Sequence, residues 1–572
     1  MKRNKTLIIV FFVFLITYLL LFLQFPMNNT IGGTCDALLT ISSSNYFSNF
    51  LGALFSGNNV TSSLYPASNI LQFGERALGL LSLFNFFKML GCSDVTSWYF
   101  FVVTIFTLNS FGVSLLVYYY TKKWGISVLG GFLFACTNFA FVNLDDAHVL
   151  FYFFSVLAIV FLLRYKENKK RRYLLFATVL SAVQLYFSLY VFVYGFVVFL
   201  VFFVYAHDYF KQFNLKTLKH LLWVFFIYSI AITPFILFYF QSQRFLNFYL
   251  PDSGKWNDIA SYSYLKISDF FGVMPNNILY HSDYKASDLL FSFFDIRKSA
   301  FIGTLFMSLG LFYMVKHFRK FLPWVIVFIL GLLLSTYFYK VMSSNIFILQ
   351  VVRLSYRGYL ISVLALSVMV ALGLNKSLAN MGKTKQMLIL GAILIIHLLE
   401  NIPYPFPLSN HEKLKNEIHT KANIELADGL KAKNLIPDKK WVKIVKQTTD
   451  KSSVILCLPS NRIFGGDLGM LTYNRELFYM NHQTYYKRNM FNGVHGYFPK
   501  SRIDIQQHID SLPKENALQE LVEAGMTHII FYKNMVLDEH DKTLKEINTL
   551  KNLKVVEENN TYVVFQVNNE WL

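Results

Sequence analysis

Three sets of ionisable side chains stand out against an apolar background: Asp36, the run Asp145-Asp146-Ala147-His148, and the pair Arg353 and Arg357. A carboxylate placed beside a hydroxyl can take its proton as a general base. Adjacent carboxylates with an imidazole suit a hard divalent cation such as Mg or Mn, which favours oxygen ligands. A guanidinium fork suits phosphate, whose oxygens it binds two at a time. Arg353 and Arg357 are four residues apart and share one face if their segment is helical. A base, a phosphate clamp and a cation together describe transfer of a group from a phosphate-linked donor to a hydroxyl. Plainer roles compete for each set. Asp36 follows Gly32 and Gly33 and fits a turn, Asp145 and Asp146 fit a solvated helix end, and the arginines fit snorkelling at an interface. His148 fits a local hydrogen-bonding role.

The elements that must position these groups are apolar. Of 572 residues 54% are hydrophobic and 15% charged, against roughly 25% charged in soluble domains. Apolar runs of about 18 residues or more, the length that crosses a hydrocarbon core, recur along the chain. This composition describes a polytopic α-helical membrane protein. The net charge of +19 does not indicate nucleic acid, because its basic clusters fall in short loops between apolar runs, as membrane topology requires. The opening Met1-Lys2-Arg3-Asn4-Lys5 and the long apolar run behind it read as an uncleaved signal anchor with a cytoplasmic N-terminus.

Alternation of basic and non-basic loops predicts about eleven transmembrane helices, near 7–25, 98–120, 125–143, 149–164, 173–188, 190–206, 221–240, 301–315, 322–338, 358–374 and 387–402. Arg164 to Arg172 is the strongest inward-facing cluster. Residues 26–96 form a first outer loop, with Ala37–Phe55 and Glu75–Leu90 lying along the membrane surface, and 241–300 form a second long one. In this topology Asp36, Asp145, Asp146, His148, Arg353 and Arg357 all face the outside.

Residues 1–407 therefore form the membrane domain. From 408 to 572 charge is frequent and no run is long enough to span. Val454–Pro459, His528–Tyr532 and Val563–Val567 read as strands and Ala517–Ala524 as helix, which predicts one extracytoplasmic α/β domain. Four scattered cysteines show no metal-ligand spacing; Cys35 and Cys92 could pair, but free apolar thiols are the commoner case. Asn28, Asn59 and Asn559 open glycosylation triplets.

Asp36 in the first outer loop and Asp145-Asp146 in the loop between helices three and four resemble the two acidic positions of the GT-C superfamily of membrane glycosyltransferases, which includes protein O-mannosyltransferases and oligosaccharyltransferases. Tyr65-Pro66 through Gly74-Glu75 looks like the first-loop sequence of that group. Val352-Arg353-Leu354-Ser355-Tyr356-Arg357, Leu456-Cys457-Leu458-Pro459 and Asn492-Gly493 are similar to stretches of its bacterial YfhO-type members. The aspartates are adjacent rather than spaced as Asp-x-Asp, and the C-terminal domain carries no Trp-Trp-Asp motif. The first departure puts metal dependence in doubt, and the second argues against sequon glycosylation.

The resemblance implies a GT-C-like fold and a polyprenyl-phosphate-linked sugar donor. The expected activity is inverting transfer of one sugar to a cell-envelope glycan, lipid or protein acceptor at the outer face of the cell membrane. Asp36 would be the base, supported by Glu75; Arg353 and Arg357 would hold the donor phosphate; Asp145, Asp146 and His148 would position a metal or the acceptor. A transporter or flippase for polyprenyl-linked glycans, a glycan polymerase and a non-catalytic envelope protein on the same fold stay open. Transporters place ionisable groups at mid-membrane and show repeats, whereas here they cluster at one face and no repeat is evident.

Overall fold

The computed structural model describes residues 2–23, 35–46, 77–207, 215–246, 248–249, 263–272, 277, 279–280, 299–345, 354–402, 437, 439–460, 469–493, 498–533 and 544–568. The chain divides into two compact units. One comprises Met1–Pro26, Tyr99–Pro234 and Gly254–Pro407, and the other Met27–Trp98, Phe235–Ser253 and Leu408–Leu572.

The first unit is helical. Among the described residues six helices are long and apolar enough to cross a membrane: Lys5–Phe22, Asp94–Thr121, Asp146–Asn168, Leu189–His207, Ser355–Ser377 and Lys383–Asn401. Shorter apolar helices at Trp124–Ala135, Thr304–Lys316 and Leu322–Ser335 accompany them. Long runs of Phe, Val, Ile and Leu without a polar stripe produce helices buried from several sides. Tyr359–Ser377 is the extreme case: 15 of its residues are buried. It packs on Trp124–Ala135, Thr304–Lys316 and Leu322–Ser335. Two glycines allow that approach. A Cβ on Gly331 would strike the Ser362 backbone nitrogen and the Ile361 side chain at 2.7 Å, and one on Gly373 would enter the Tyr313 ring. Small residues at helix crossings serve the same end throughout membrane bundles.

The third expected helix is not continuous. Trp124–Ala135 ends at Cys136, and Thr137 caps a short helix, Asn138–Val142, accepting the Ala140 N–H at 3.2 Å. A 3₁₀ segment, Leu144–Leu150, then replaces the expected loop, so the acidic run is wound rather than extended.

In the second unit, helix Cys35–Tyr46 packs against Gly469–Tyr486, with the Ser42 hydroxyl 3.5 Å from the Leu477 carbonyl oxygen. Leu78–Met89 lies against Cys35–Tyr46, and the Asn85 amide donates to the Ser44 carbonyl at 3.2 Å. Lys88 and Asp94 form an ion pair at 2.7 Å.

The same unit holds a five-stranded sheet built from β1 (Val454–Leu458), β2 (Asn489–Met490), β3 (Met526–Tyr532), β4 (Leu553–Glu558) and β5 (Tyr562–Val567). Its order is β2-β1-β3-β5-β4, with β2, β1 and β3 parallel and β5 and β4 antiparallel additions. The central strand β1 is apolar and buried at every position, as a strand covered on both faces requires. Val454, Leu456, Leu458, Ile529 and Phe531 enter one core with Leu518 and Leu521 of the helix Glu515–Glu523. Trp441, on the helix Lys439–Thr448, is buried among the rings of His482, Tyr486, Tyr532 and Tyr562. Asn559 makes the β4–β5 turn, its side-chain oxygen accepting the N–H groups of Thr561 and Tyr562 at 2.8 and 2.9 Å. Cys92, Cys136 and Cys457 are free thiols.

Candidate functional site

Asp146, His148 and Arg357 come together although 209 residues separate His148 from Arg357 in sequence (357 − 148). Asp146 is buried in the 3₁₀ segment Leu144–Leu150, with φ −105° and ψ 41°. That departure from helical geometry kinks the segment at the acid itself. Arg357 sits in the turn Ser355–Gly358, directly before the central helix Tyr359–Ser377, and is also buried. Its Nη2 donates to Asp146 Oδ2. The other carboxylate oxygen, Oδ1, lies 2.8 Å from His148 Nδ1. If Nδ1 carries the proton toward Asp146, Nε2 is the basic nitrogen of the ring.

Both turns are held by neighbours that the apolar background would otherwise leave unmatched. The guanidinium carbon lies 4.4 Å from the centre of the Tyr190 ring, a cation–π contact. The Tyr356 N–H donates to the Ser263 carbonyl at 3.0 Å, and the Ser355 hydroxyl donates to the same oxygen at 3.2 Å. Tyr194 donates its hydroxyl proton to the Ser355 carbonyl at 3.3 Å. On the acidic side, the Asp146 N–H donates to the Asn143 carbonyl at 3.1 Å. Asn109 reaches from the helix Asp94–Thr121, donating to the Leu150 carbonyl at 2.6 Å and accepting the Tyr152 N–H at 2.9 Å. Gln184 donates to the Phe151 carbonyl at 2.8 Å. In an apolar medium each such bond is strong and an unmade one is expensive. The kinked segment is thereby pinned at both ends.

A second polar knot in the same unit centres on Glu400 and Asn401, at the end of the helix Lys383–Asn401. Glu400 Oε1 accepts from the Tyr280 hydroxyl at 2.9 Å and the Thr304 N–H at 3.0 Å, and Oε2 accepts the Leu305 N–H at 3.3 Å. The acid thus caps the helix Thr304–Lys316, where a negative charge is favoured. Gly303, at φ +95°, turns the chain into that cap, and a Cβ there would stand 2.6 Å from Glu400 Oε2. Asn401 accepts the Asn138 N–H at 2.9 Å and so ties the break in the third expected helix to the same point.

The stretches Leu456–Pro459 and Asn492-Gly493 of the sheet region also meet. The Asn492 side chain accepts the Cys457 N–H at 2.6 Å and donates to the Cys457 carbonyl at 2.9 Å. Buried Glu476 accepts from the Ser460 hydroxyl and the Gly493 N–H, both at 3.0 Å. This network closes the carboxyl end of β1.

The remaining site residues divide by what is described. Asp36 lies on the helix Cys35–Tyr46 and Asp145 on the 3₁₀ segment, both as backbone, while their side chains fall outside the described residues. Glu75 and Arg353 lie outside the described residues altogether, as do Asn28, Asn59, the stretch Tyr65–Gly74 and most of 241–300. Asn109, Gln184, Tyr190, Ser263 and Glu400 were not singled out by sequence. A signal was present for three of them: Asn109, Gln184 and Glu400 are polar residues inside apolar helices, and such residues are seldom idle.

For the expected Mg or Mn ion the donor set is poor. Among the described residues no group of three or more His, Cys, Asp or Glu side chains gathers to hold a metal. Asp146, the one acid of the run whose side chain is described, already meets a guanidinium and an imidazole. The side chains of Asp36 and Asp145, the other candidate ligands, lie outside the described residues.

No protein-family model matches the chain, and no curated protein does. Among solved structures it is similar to the oligosaccharyltransferase of Archaeoglobus fulgidus, described as a complex with Zn and sulfate, with 14% identity and a TM-score of 0.38. That match covers 91% of this chain and 68% of the archaeal one.

Proposed function

We propose that the chain is a membrane glycosyltransferase that moves one sugar, with inversion, from a polyprenyl-phosphate-linked donor to a cell-envelope glycan, lipid or protein acceptor. In this reading eleven helices span the membrane, the N-terminus is cytoplasmic, and residues 408–572 form an extracytoplasmic domain. The observation that carries it is the buried pair of Asp146 and Arg357, with the half-buried His148 beside them, at the ends of apolar helices. Groups so costly to bury in a lipid-facing protein serve a reaction or a ligand far more often than packing.

The reaction balances simply. Asp36, supported by Glu75, takes the proton of the acceptor hydroxyl; the acceptor oxygen forms a bond to the anomeric carbon; and the bond from that carbon to the phosphate oxygen breaks. Polyprenyl phosphate leaves, its charge held by Arg357 with Arg353. Asp145, Asp146 and His148 would position the acceptor or a divalent metal, and Asp146 also orients Arg357.

The test is sugar transfer to a cell-envelope acceptor in membranes holding equal amounts of wild type or Asp36→Asn. Loss of a general base lowers turnover by about 10²–10⁴-fold while donor binding survives. Wild-type turnover in the variant removes Asp36 from the mechanism.

A further inference from the structure

Three exposed lysines gather where helix ends of the first unit adjoin. The helix Thr304–Lys316 ends on Lys316, the turn behind it carries Lys320, and Tyr359–Ser377 carries Lys376 in its last turn. The turn is fixed by the His317 carbonyl, which accepts the N–H groups of Lys320 and Phe321, both at 3.0 Å. The His317 ring is stacked on Tyr313 with centres 6.4 Å apart and meets the edge of Phe321 at 5.6 Å. Tyr313 donates its hydroxyl proton to Ser377 at 3.0 Å, and Lys376 Nζ lies 5.9 Å from the centre of the Phe321 ring. Burial, with the charges of Lys376, Lys316 and Lys320, holds the His317 pKa below the ordinary imidazole value, so all three lysines act on this one point.

We propose that Lys316, Lys320 and Lys376 form a headgroup site for one anionic phospholipid of the leaflet these helix ends meet. The proposal is independent of the glycosyl-transfer reading and requires only that these apolar helices lie in a membrane.

The charge here has little to balance it. From Ile296 to Leu399 the sequence holds eleven Lys and Arg and no Asp or Glu. Glu400, the next acid, caps the opposite end of Thr304–Lys316, about 18 Å away along that helix. No carboxylate of a described residue pairs with any of the three lysines. The two helix C-termini supply about half a negative charge each, which falls short of three lysines. The surroundings select an amphiphile over a water-soluble anion. Lys316 Nζ sits 5.1 Å from the centre of the Phe312 ring, and Phe312 and Val315 are exposed on the same helix, 53% and 75%. A phosphate on the lysines thus lies beside an apolar face on which acyl chains can rest. Basic pockets between membrane helices bind anionic headgroups in this manner.

The test uses the full-length protein in neutral detergent, freed of copurified lipid, and radiolabelled phosphatidylglycerol or phosphatidylcholine with identical chains. Wild type should bind one phosphatidylglycerol about tenfold or more tightly than phosphatidylcholine, the scale that a few lysines near an anionic headgroup supply. Lys316→Gln/Lys320→Gln/Lys376→Gln should bring the two lipids within about twofold. Lys170→Gln/Arg171→Gln/Arg172→Gln removes as much charge from another exposed cluster and should keep the preference. Raising the salt from 50 to 500 mM, estimates set by the screening length, should reduce the preference of unaltered wild type severalfold, a readout that no folding defect can mimic. No preference in wild type would overturn the proposal and leave the lysines snorkelling into water. Equal loss in both triple variants would overturn it in favour of overall charge. Displacement of phosphatidylglycerol by millimolar inorganic phosphate at constant ionic strength would overturn the lipid assignment in favour of a soluble anion.

Discussion

The carboxylate of Glu400 accepts the backbone N–H of Thr304 at 3.0 Å, although 96 residues separate them. One helix end thus caps the start of another. The acid also binds Tyr280 and Leu305, so it stands at the junction of two helices and the segment that precedes the first of them.

Replacing Glu400 should therefore loosen that junction without touching the Asp146 site. Glu400→Gln keeps the size but loses the charge that favours a helix N-terminus, and should cost about 1–2 kcal/mol. Glu400→Leu, which strands the donors it satisfied, should cost more, and Tyr280→Phe about 0.5–1.5 kcal/mol. Thermal unfolding of the three variants in one detergent checks the order. Equal midpoints for wild type and Glu400→Leu would contradict the capping role.

The Asp146–Arg357 pair should behave as a buried ion pair. Removing either partner strands a charge in an apolar interior and should destabilise by roughly 3–5 kcal/mol. The double variant Asp146→Leu/Arg357→Met should be far less damaged than the sum of its parts, because no charge is left behind. A double-mutant cycle on unfolding midpoints gives the coupling directly. Additive losses would mean that the two side chains do not interact.

Gly331 should tolerate no side chain. A Cβ would collide with the Ser362 nitrogen and the Ile361 side chain on the central helix. Gly331→Val should destabilise by about 1–3 kcal/mol or more through overpacking. Gly391, where nothing lies within 4 Å of an added Cβ, is the control. Gly391→Ala should be neutral to slightly stabilising, since alanine favours a helix by about 1 kcal/mol over glycine. Comparable melting of the two variants would argue against the tight crossing.

The sheet region should weaken in acid through His528. Burial lowers the pKa of this imidazole to about 4, with Thr448 3.1 Å from Nε2. The unfolded chain takes up a proton near pH 6.5 and the folded chain only near 4. The stabilisation is thus complete above 6.5 and is lost as pH falls to about 4, on the order of 3 kcal/mol in all. Hydrogen exchange of the β1, β3 and β5 amides in the full-length protein, corrected for intrinsic rate, should show this fall. In His528→Gln it should be shallower. An unchanged pH profile in that variant would assign the acid sensitivity to other groups.

Much of the helical layout was legible in the sequence because the lipid constraint is local: a span must be long and apolar, and each such run declares itself. A helix is present in every one of the eleven expected segments, and six of them are long and apolar enough to cross a membrane. Three of the five strands were legible for a related reason, whereas Asn489–Met490 and the charged Leu553–Glu558 were not. Val454–Leu458 and Tyr562–Val567 are short, apolar and flanked by polar residues.

Sequence also singled out Asp146, His148 and Arg357 as residue types out of place, since charge in an apolar chain is rare. It did not determine that they meet, nor that the aspartate would be held by the arginine. That was decided by the kink at Asp146, by Ser263 fastening the turn before Arg357, and by Asn109 and Gln184 pinning the acidic segment from two other helices. The physical reason is distance along the chain. Hydropathy and spacing act over a few turns of helix, whereas which buried donor meets which acceptor is settled when separate helices pack, and each group takes the nearest partner that spares it an unmade bond.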